Sequence, residues 1–176
     1  MIFAETRLPG AYVIELEKLA DERGFFARTW CRDEFRSHGL GVDWVQFNVS
    51  GNRRRGTLRG MHYQGAPRQE AKLVRCTMGG IHDVIIDLRP ESRAFRQHAS
   101  VVLTAENGRM LFVPEGLAHG FLTLEDDTEV FYMMSEFYAP ELARGVRWND
   151  PAFGIHWPAD VEVVSDRDRS YPDFVN

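Results

Sequence analysis

The sequence predicts an all-β protein built as an antiparallel sandwich or barrel. Short apolar segments recur along most of the chain, and turn-forming pairs such as Gly51-Asn52 and Gly79-Gly80 separate them. Only residues 32–38, followed by Gly39, have the pattern of a helix, and this segment is too short to organise the fold. The sequence also lacks the alternation of strands and helices that a parallel sheet requires.

Eight segments have the composition and length of strands, and they are spread over the first three quarters of the chain. They are residues 12–16, 44–49, 72–77, 81–88, 99–103, 110–113, 120–124 and 129–134. Residues 140–176 are different, because they hold several aromatic residues and prolines with little periodicity. We predict that they form an irregular C-terminal arm whose aromatic side chains pack against the main body.

Length and composition limit the possible classes of protein. With 176 residues, 44% hydrophobic and 27% charged, the chain is predicted to be a single domain over residues 1–176. No apolar run approaches the ~20 residues of a membrane helix, and the N-terminus has no signal-peptide pattern. The net charge of −5 argues against nucleic acid as a partner, but not against a small anionic ligand. Cys31 and Cys76, without metal-like spacing, indicate a reduced cytoplasmic protein.

The most distinctive local pattern is Gly108-x5-Pro114-x-Gly116-x2-His119. It has the form of the second cupin motif, in which a strand, a tight turn and another strand deliver a histidine into a small barrel. The proline presets the turn, and the second glycine permits a positive φ. Where the first cupin motif would supply two histidines, His62 is followed by Gln64. A catalytic metal usually needs three His, Cys or carboxylate ligands, so we predict a site without metal and a protein without cofactor.

Further blocks run over nearly the whole chain. They are Glu22-Arg23-Gly24-Phe25-Phe26, Gln46-x-Asn48, Gly56-x2-Arg59-Gly60-x-His62-Tyr63-Gln64, Lys72, Val113-Pro114-Glu115-Gly116-x-Ala118-His119-Gly120-Phe121 and Arg147-Trp148-Asn149-Asp150-Pro151. With these blocks in this order, the chain resembles the dTDP-4-dehydrorhamnose 3,5-epimerase family, the cofactorless cupins of deoxysugar biosynthesis. The resemblance implies a cupin-type antiparallel jelly roll with short peripheral helices.

The chemistry of such an epimerase assigns a role to each of four residues. A hydrogen on the carbon next to a ketone can be removed by a positioned base if the enolate oxygen is stabilised. His62 suits the base because an imidazole titrates near neutral pH. Lys72 can place a positive charge at the enolate oxygen, and Tyr132 can supply a proton from the opposite face. The family pattern resembles Ser-Glu-Lys-Asp where this chain has Ser165-Asp166-Arg167-Asp168, so Asp168 is predicted to orient His62, with Asp166 as the alternative.

The resemblance also implies a set of substrate-binding residues. Arginine forks fit phosphate oxygens well, and the diphosphate is expected to meet two arginines. The predicted binding residues are Arg23 and Arg59 for the diphosphate, Gln46, Asn48 and His119 around nucleotide or sugar, and Arg28 and Arg167. Arg59 and His62 would lie on opposite faces of a regular strand, because they are three residues apart. A bulge at Gly60 would bring both side chains inward.

Two positions depart from the family pattern. Arg28 stands where many relatives have an acidic residue, and Ala143 stands where a second acid usually follows Pro140-Glu141. These departures leave the nucleotide base open, so a GDP- or CDP-linked sugar is an alternative to a dTDP-linked one. The resemblance further suggests a homodimer in which N-terminal segments cross between subunits, and Arg23 would then serve the neighbouring site.

The predicted function is epimerisation at C3, C5 or both of a nucleoside-diphosphate 4-keto-6-deoxysugar, with dTDP-4-dehydro-6-deoxyglucose as the first candidate. A keto-isomerase, which would move the carbonyl rather than invert a centre, is a second enzyme class. A non-catalytic carbohydrate-binding cupin is the third possibility, although binding does not require a phenol such as that of Tyr132 opposite a base. Gln64 argues against the fourth, a metal-dependent cupin oxygenase.

Overall fold

A computed structural model describes residues 1–175 of the chain. In this range the chain forms fourteen strands and two α-helices. The strands are β1 (Ile2–Glu5), β2 (Tyr12–Glu15), β3 (Leu19–Asp21), β4 (Gly24–Phe26), β5 (Gln46–Asn52), β6 (Thr57–Gln64), β7 (Lys72–Met78), β8 (Gly80–Asp87), β9 (His98–Thr104), β10 (Met110–Val113), β11 (Leu117–Thr123), β12 (Thr128–Met134), β13 (Ala143–Gly145) and β14 (Val163–Val164). The helices are α1 (Arg32–Ser37) and α2 (Asp166–Arg169), and Pro140–Leu142 forms one 3₁₀ turn.

Twelve of the strands form two large sheets that pack face to face, and β3 and β4 form a separate hairpin. The first sheet has the order β1-β2-β10-β7-β12-β5, and the second has the order β13-β6-β11-β8-β9, with β14 added beside β6. All pairings are antiparallel except that of β14 with β6. The predicted all-β, cupin-type jelly roll is thereby confirmed. All eight predicted strands are present, with ends displaced by at most three residues.

The central core lies between the two sheets. It is formed by inward-facing side chains of both sheets, which include Val74 and Val130 from the first and Ile81, Ile85 and Phe121 from the second. Alternation along β8 sends Ile81, Asp83, Ile85 and Asp87 to this inner side and the intervening residues to the outer side. Burial of this many branched and aromatic side chains provides the main driving force for folding.

The C-terminal arm packs against the outer side of the second sheet. Phe153, Trp148 and Trp157 contact Val84 and Ile86 there, as the prediction of an aromatic-packed arm required. The arm is more regular than predicted, because it contains β13, β14 and α2. These three elements are only three, two and four residues long, and their sequence has no periodicity. Tertiary contacts with β6 determine them.

The helix prediction for residues 32–38 is confirmed by α1, in which Phe35 is buried. This helix packs against a small aromatic cluster with Phe112. No helix within residues 1–175 has the length and apolar character needed to cross a membrane.

Candidate active site

Two adjoining clefts open between the sheets, and most of the predicted site residues line them. The first cleft has a volume of about 540 Å³ and the second of about 340 Å³. The residues that line both clefts are His62, Lys72, Tyr132 and Arg167. Of the other predicted residues, Arg59, His119 and Asp168 line the first cleft, and Gln46 and Asn48 line the second.

The two sheets contribute different chemical groups to the clefts. His62 on β6 and His119 on β11 are directly paired in the second sheet. Lys72 on β7 and Tyr132 on β12 belong to the first sheet. Because packed sheets are separated by about 10 Å, a small ring between them would meet imidazoles on one side and a phenol and an ammonium on the other.

His62 forms a close pair with Asp168. Its Nε2 lies 2.6 Å from Oδ1 of the carboxylate. An ionised carboxylate accepts a hydrogen bond, so Nε2 carries the hydrogen and Nδ1 retains a lone pair. The side chain of His62 is 39% exposed, whereas that of Asp168 is 5% exposed. The acid is therefore enclosed while the imidazole reaches the cleft.

Asp168 is held in place by α2 and by the backbone of β6. Its second carboxylate oxygen accepts a hydrogen bond from the Gly60 N–H at 3.2 Å. Its own N–H donates to the hydroxyl of Ser165, which caps α2. Burial on its own would raise the pKa of Asp168, but the hydrogen bond from His62 and the attraction of that ring lower it overall. The carboxylate is ionised at neutral pH and can fix the imidazole in one tautomer.

A bulge in β6 aligns Arg59 with His62. His119 pairs with His62 and Phe121 pairs with Arg59, so three steps on β6 match two steps on β11. Gly60, between them, has a φ of +133°, and a Cβ there would lie 2.6 Å from the Cα of Gly120. Both side chains reach the first cleft because of this extra residue, which confirms the predicted bulge.

Lys72 is a buried cation with two oxygen partners. Its ammonium lies 3.1 Å from a carboxylate oxygen of Glu70 and 3.4 Å from the backbone carbonyl oxygen of His62. Both side chains of this ion pair are less than a tenth exposed. These two oxygen contacts hold the ammonium at the wall of the cleft.

Tyr132 is half-buried on the wall that faces the imidazoles. Burial raises the pKa of its phenol, and the nearby positive charge of Arg59 acts in the opposite direction. The phenol is therefore protonated at neutral pH. It can act as a proton donor within the cleft.

A second histidine–aspartate pair lies beside the first. Nε2 of His119 is 2.6 Å from Oδ1 of Asp83, which is completely buried on β8. Neither Asp83 nor Glu70 is predicted from the sequence. The signal for Asp83 is its place between Ile81 and Ile85 on the inner side of β8, where an unpaired carboxylate would be costly.

Gln64 has a structural role. Its amide nitrogen donates to the carbonyl oxygens of Arg68 and Phe137, and its amide oxygen accepts from the Ala139 N–H. These bonds tie together two loops at one end of the site. Within residues 1–175 there is no group of three or more His, Cys, Asp or Glu side chains arranged to hold a metal ion.

Arg23 and Arg28 do not line either cleft of this chain. Arg23 lies in the turn of the β3–β4 hairpin, where it pairs with Asp21 and is 84% exposed. Arg28 pairs with Glu34 of α1 at 2.7 Å. Ala143, the second departure from the family pattern, lies on the wall of the second cleft. An arginine in the hairpin can contact ligand only in a neighbouring subunit or after the hairpin has moved.

The fold and the clefts define the class of protein. In this jelly roll, a His–Asp pair lies on one wall of the cleft, and a protonated phenol and a lysine lie on the other. These groups are suited to proton transfer at a carbon next to a carbonyl. Comparisons with known proteins identify the family. The sequence profile of the dTDP-4-dehydrorhamnose 3,5-epimerase family matches residues 5–176.

Several relatives share nearly the full length of the chain. A dTDP-4-dehydrorhamnose 3,5-epimerase of Methanothermobacter thermautotrophicus is 43% identical over 172 residues, which cover 96% of this chain and 92% of the relative. The crystal structure of such an epimerase from Bacillus anthracis, with TDP and PPi bound, has a TM-score of 0.95 and 39% identity, covering 98% of this chain and 99% of that one. A 3'-monoepimerase from Streptomyces bikiniensis in complex with dTDP-quinovose has a TM-score of 0.87 and 35% identity, covering 96% and 85%.

This chain belongs to the dTDP-4-dehydrorhamnose 3,5-epimerase family, and the predicted resemblance is confirmed over nearly its whole length. It is an enzyme of the isomerase class, as predicted.

Proposed function

We propose that this protein inverts C3 and C5 of dTDP-4-keto-6-deoxyglucose through enolate intermediates. The observation that carries the proposal is the placement of acid and base. His62, which is paired with Asp168 of α2, lies on one sheet, and Tyr132 lies on the opposing sheet of the same cleft. Inversion requires a proton to leave one face of a ring and another to arrive at the opposite face.

The steps use His62, Lys72 and Tyr132 as follows, with Asp168 holding His62 in place. The lone pair of His62 Nδ1 removes a proton from the carbon next to the C4 ketone, and the C–H electrons form the enolate. Lys72 stabilises the enolate oxygen, since its ammonium is already held at the cleft by Glu70. Tyr132 returns a proton to the same carbon from the other side, and the enolate electrons form the new C–H bond. Solvent then restores the proton of Tyr132 and removes that of His62, so no net proton is consumed.

The second cleft suits the nucleotide. With the sugar between the sheets at His62, the diphosphate would lie near Arg59 and Arg167, whose guanidinium groups reach the first cleft. The base would then lie in the second cleft beside Gln46 and Asn48, which hydrogen-bond to each other at 3.1 Å. Relatives with TDP or a dTDP-sugar bound support dTDP as the carrier.

A homodimer would complete this site. The β3–β4 hairpin is exposed along its whole length, and Leu19 and Phe26 are 69% and 71% exposed. An apolar hairpin of this kind is unfavourable in water unless another surface covers it. If it crosses to a second copy, Arg23 at its tip can add a positive charge to the neighbouring diphosphate.

Inversion at C3 alone is the second candidate function. The observation that favours it is the 35% identity to the 3'-monoepimerase, which shares the fold closely.

Deuterium exchange distinguishes these functions. We expect the protein, incubated with dTDP-4-keto-6-deoxyglucose in deuterated water, to introduce deuterium at C3 and C5 and to yield the doubly inverted sugar. Deuterium confined to C3, with inversion at C3 alone, indicates the 3-epimerase. The absence of deuterium in a protein that still binds dTDP would refute the proposal.

Two variants connect the activity to the two walls of the cleft. His62→Ala is expected to abolish exchange at both carbons. Tyr132→Phe is expected to retain exchange with solvent and to lose inversion by at least about 100-fold, because a positioned general acid contributes roughly that much. Equal loss of exchange and inversion in Tyr132→Phe would contradict the assignment of the phenol as the second proton donor.

A further inference from the structure

Tyr171, which follows α2, is fixed beside the catalytic histidine. Its ring lies over Gly145 of β13, and a Cβ at this glycine would overlap with the ring atoms. Gly145 is itself paired with His62. The ring of Tyr171 also meets the imidazole of His62 edge to face, with 6.4 Å between ring centroids and 68° between ring planes. The phenol is thus held from two sides.

The oxygen of this phenol binds Arg167. Nε of Arg167 donates a hydrogen bond to it at 3.0 Å. Tyr138, from the loop after β12, lines the second cleft together with Arg167. Burial raises the pKa of Tyr171, so its phenol stays neutral and can accept the bond at physiological pH. Binding through Nε leaves the two terminal nitrogens for an incoming anion.

Arg167 lies where the two clefts meet, because it lines both of them. It is the one arginine that does so among the described residues. If a nucleotide-sugar places its sugar in one cleft and its base in the other, the diphosphate that joins them must lie at this junction, next to Arg167. An exposed arginine without a partner samples many rotamers, and the bond to Tyr171 removes much of that freedom before the ligand arrives.

We propose that Tyr171 is a positioning residue that holds the guanidinium of Arg167 at the junction of the two clefts, ready to bind the diphosphate of a nucleotide-sugar. The proposal rests on the proposed function for the identity of the ligand. Neither Tyr171 nor its contact with Arg167 was anticipated from the sequence.

The variant Tyr171→Phe tests this role, because it keeps the ring against Gly145 and His62 and removes only the hydrogen-bond acceptor. We expect its Kd for dTDP, measured by calorimetry, to rise about tenfold, as loss of a hydrogen bond to a charged group predicts. The affinity for thymidine, which has no phosphate, is expected to remain unchanged. With the sugar-nucleotide, KM rises in the same proportion and kcat stays within about twofold.

Two controls distinguish positioning from a general structural effect. Tyr12→Phe removes the phenol of a partly buried tyrosine on β2, outside both clefts, and is expected to bind dTDP like the wild type. In an Arg167→Ala background, Tyr171→Phe should have no further effect on the Kd for dTDP, because the two residues act through one contact. An unchanged Kd in Tyr171→Phe, or losses that add in the double variant, would overturn the proposal. Binding of dTDP requires no turnover, so a failure of the proposed epimerisation leaves this test intact.

Discussion

Asp168 shows what one residue adds to the candidate site. Asp166 and Asp168 are two positions apart on α2, so they point to different sides of the helix. Asp168 is buried against His62, whereas Asp166 is exposed. The sequence pattern favoured Asp168 through the family resemblance alone. The structure supplies the physical reason, since only the buried carboxylate reaches the imidazole.

Replacing the carboxylate of Asp168 by an amide tests its role in orienting His62, because the side chain keeps its size and shape. In Asp168→Asn the amide cannot fix the tautomer of His62 or stabilise its protonated form. We expect kcat for epimerisation to fall by about 10²–10⁴-fold, with a much smaller change in KM, by analogy with other His–Asp pairs. Steady-state kinetics with the 4-keto sugar-nucleotide measures both constants.

Asp166→Asn is the matched control for this prediction. It makes the same chemical change two residues away on the exposed side of the same helix, and we expect kcat to stay within about twofold. A large loss in Asp166→Asn together with a mild one in Asp168→Asn would reverse the two assignments.

Among the elements, β6 was the most important one that the sequence did not predict. It carries Arg59 and His62, yet most of its residues are buried on both faces and its bulge interrupts the two-residue period. The strand β10 is predicted because it is one continuous apolar run, and β8 because Ile81 and residues 84–86 are β-branched and apolar. Thr57–Gln64 has no such run, because Gly60 forms the bulge, His62 lines the clefts and Gln64 ties two loops together.

The shortest elements were missed for a different reason. The strands β3, β4, β13 and β14 have two or three residues each. Pairing with the distant β6 defines β13 and β14, whereas β3 and β4 pair only with each other. A local pattern of two residues carries no periodicity. The position of Asp168 was equally hidden, since the parallel pairing of β14 with β6 brings α2 to His62 across more than a hundred residues of sequence.

The bulge at Gly60 shapes β6 around the site, and its contribution can be tested by a single substitution. In Gly60→Ala, the new Cβ would meet Gly120 at 2.6 Å on a backbone with positive φ. We expect the free energy of unfolding to fall by about 2–4 kcal/mol, from steric overlap and an unfavourable φ together. The activity of the folded fraction should also fall, because the bulge is what lets both Arg59 and His62 point into the first cleft. Chemical denaturation and kinetics on the folded fraction measure the two effects.

Gly51→Ala on β5 provides the comparison, because a Cβ at Gly51 would meet no atom within 4 Å. We expect its stability to change by less than about 1 kcal/mol and its activity to be retained. Similar losses in both variants would show that the bulge has no particular importance.

At the scale of the whole molecule, two features of the isolated chain are unfavourable or incomplete without a partner. Its clefts contain the proposed acid and base groups together with Arg59 and Arg167, but the predicted phosphate ligand Arg23 lies on the exposed hairpin. The hairpin exposes large apolar side chains, which include Phe25 and Phe26. One arrangement resolves both features, namely a two-fold dimer in which each hairpin covers the partner's site.

Mixed dimers test that arrangement directly. Arg23→Ala and His62→Ala should each be strongly impaired as pure proteins. If Arg23 serves the neighbouring site, a mixed dimer contains one site with both native residues. Random reassociation of equal amounts makes half of the dimers mixed, so we expect about one quarter of the wild-type activity to return. Light scattering establishes that the protein is dimeric, and native mass spectrometry measures the mixed fraction.

The control pairs two residues that act within one chain. His62 and Asp168 form their hydrogen bond inside a single subunit, so a mixture of His62→Ala and Asp168→Asn has no intact site and should recover no activity. Recovery in the first mixture and not in the second assigns Arg23 to the neighbouring subunit. A monomer in solution, full activity of Arg23→Ala alone, or mixed dimers without recovered activity would each exclude the crossed hairpin. In that case the exposed hairpin would require another explanation.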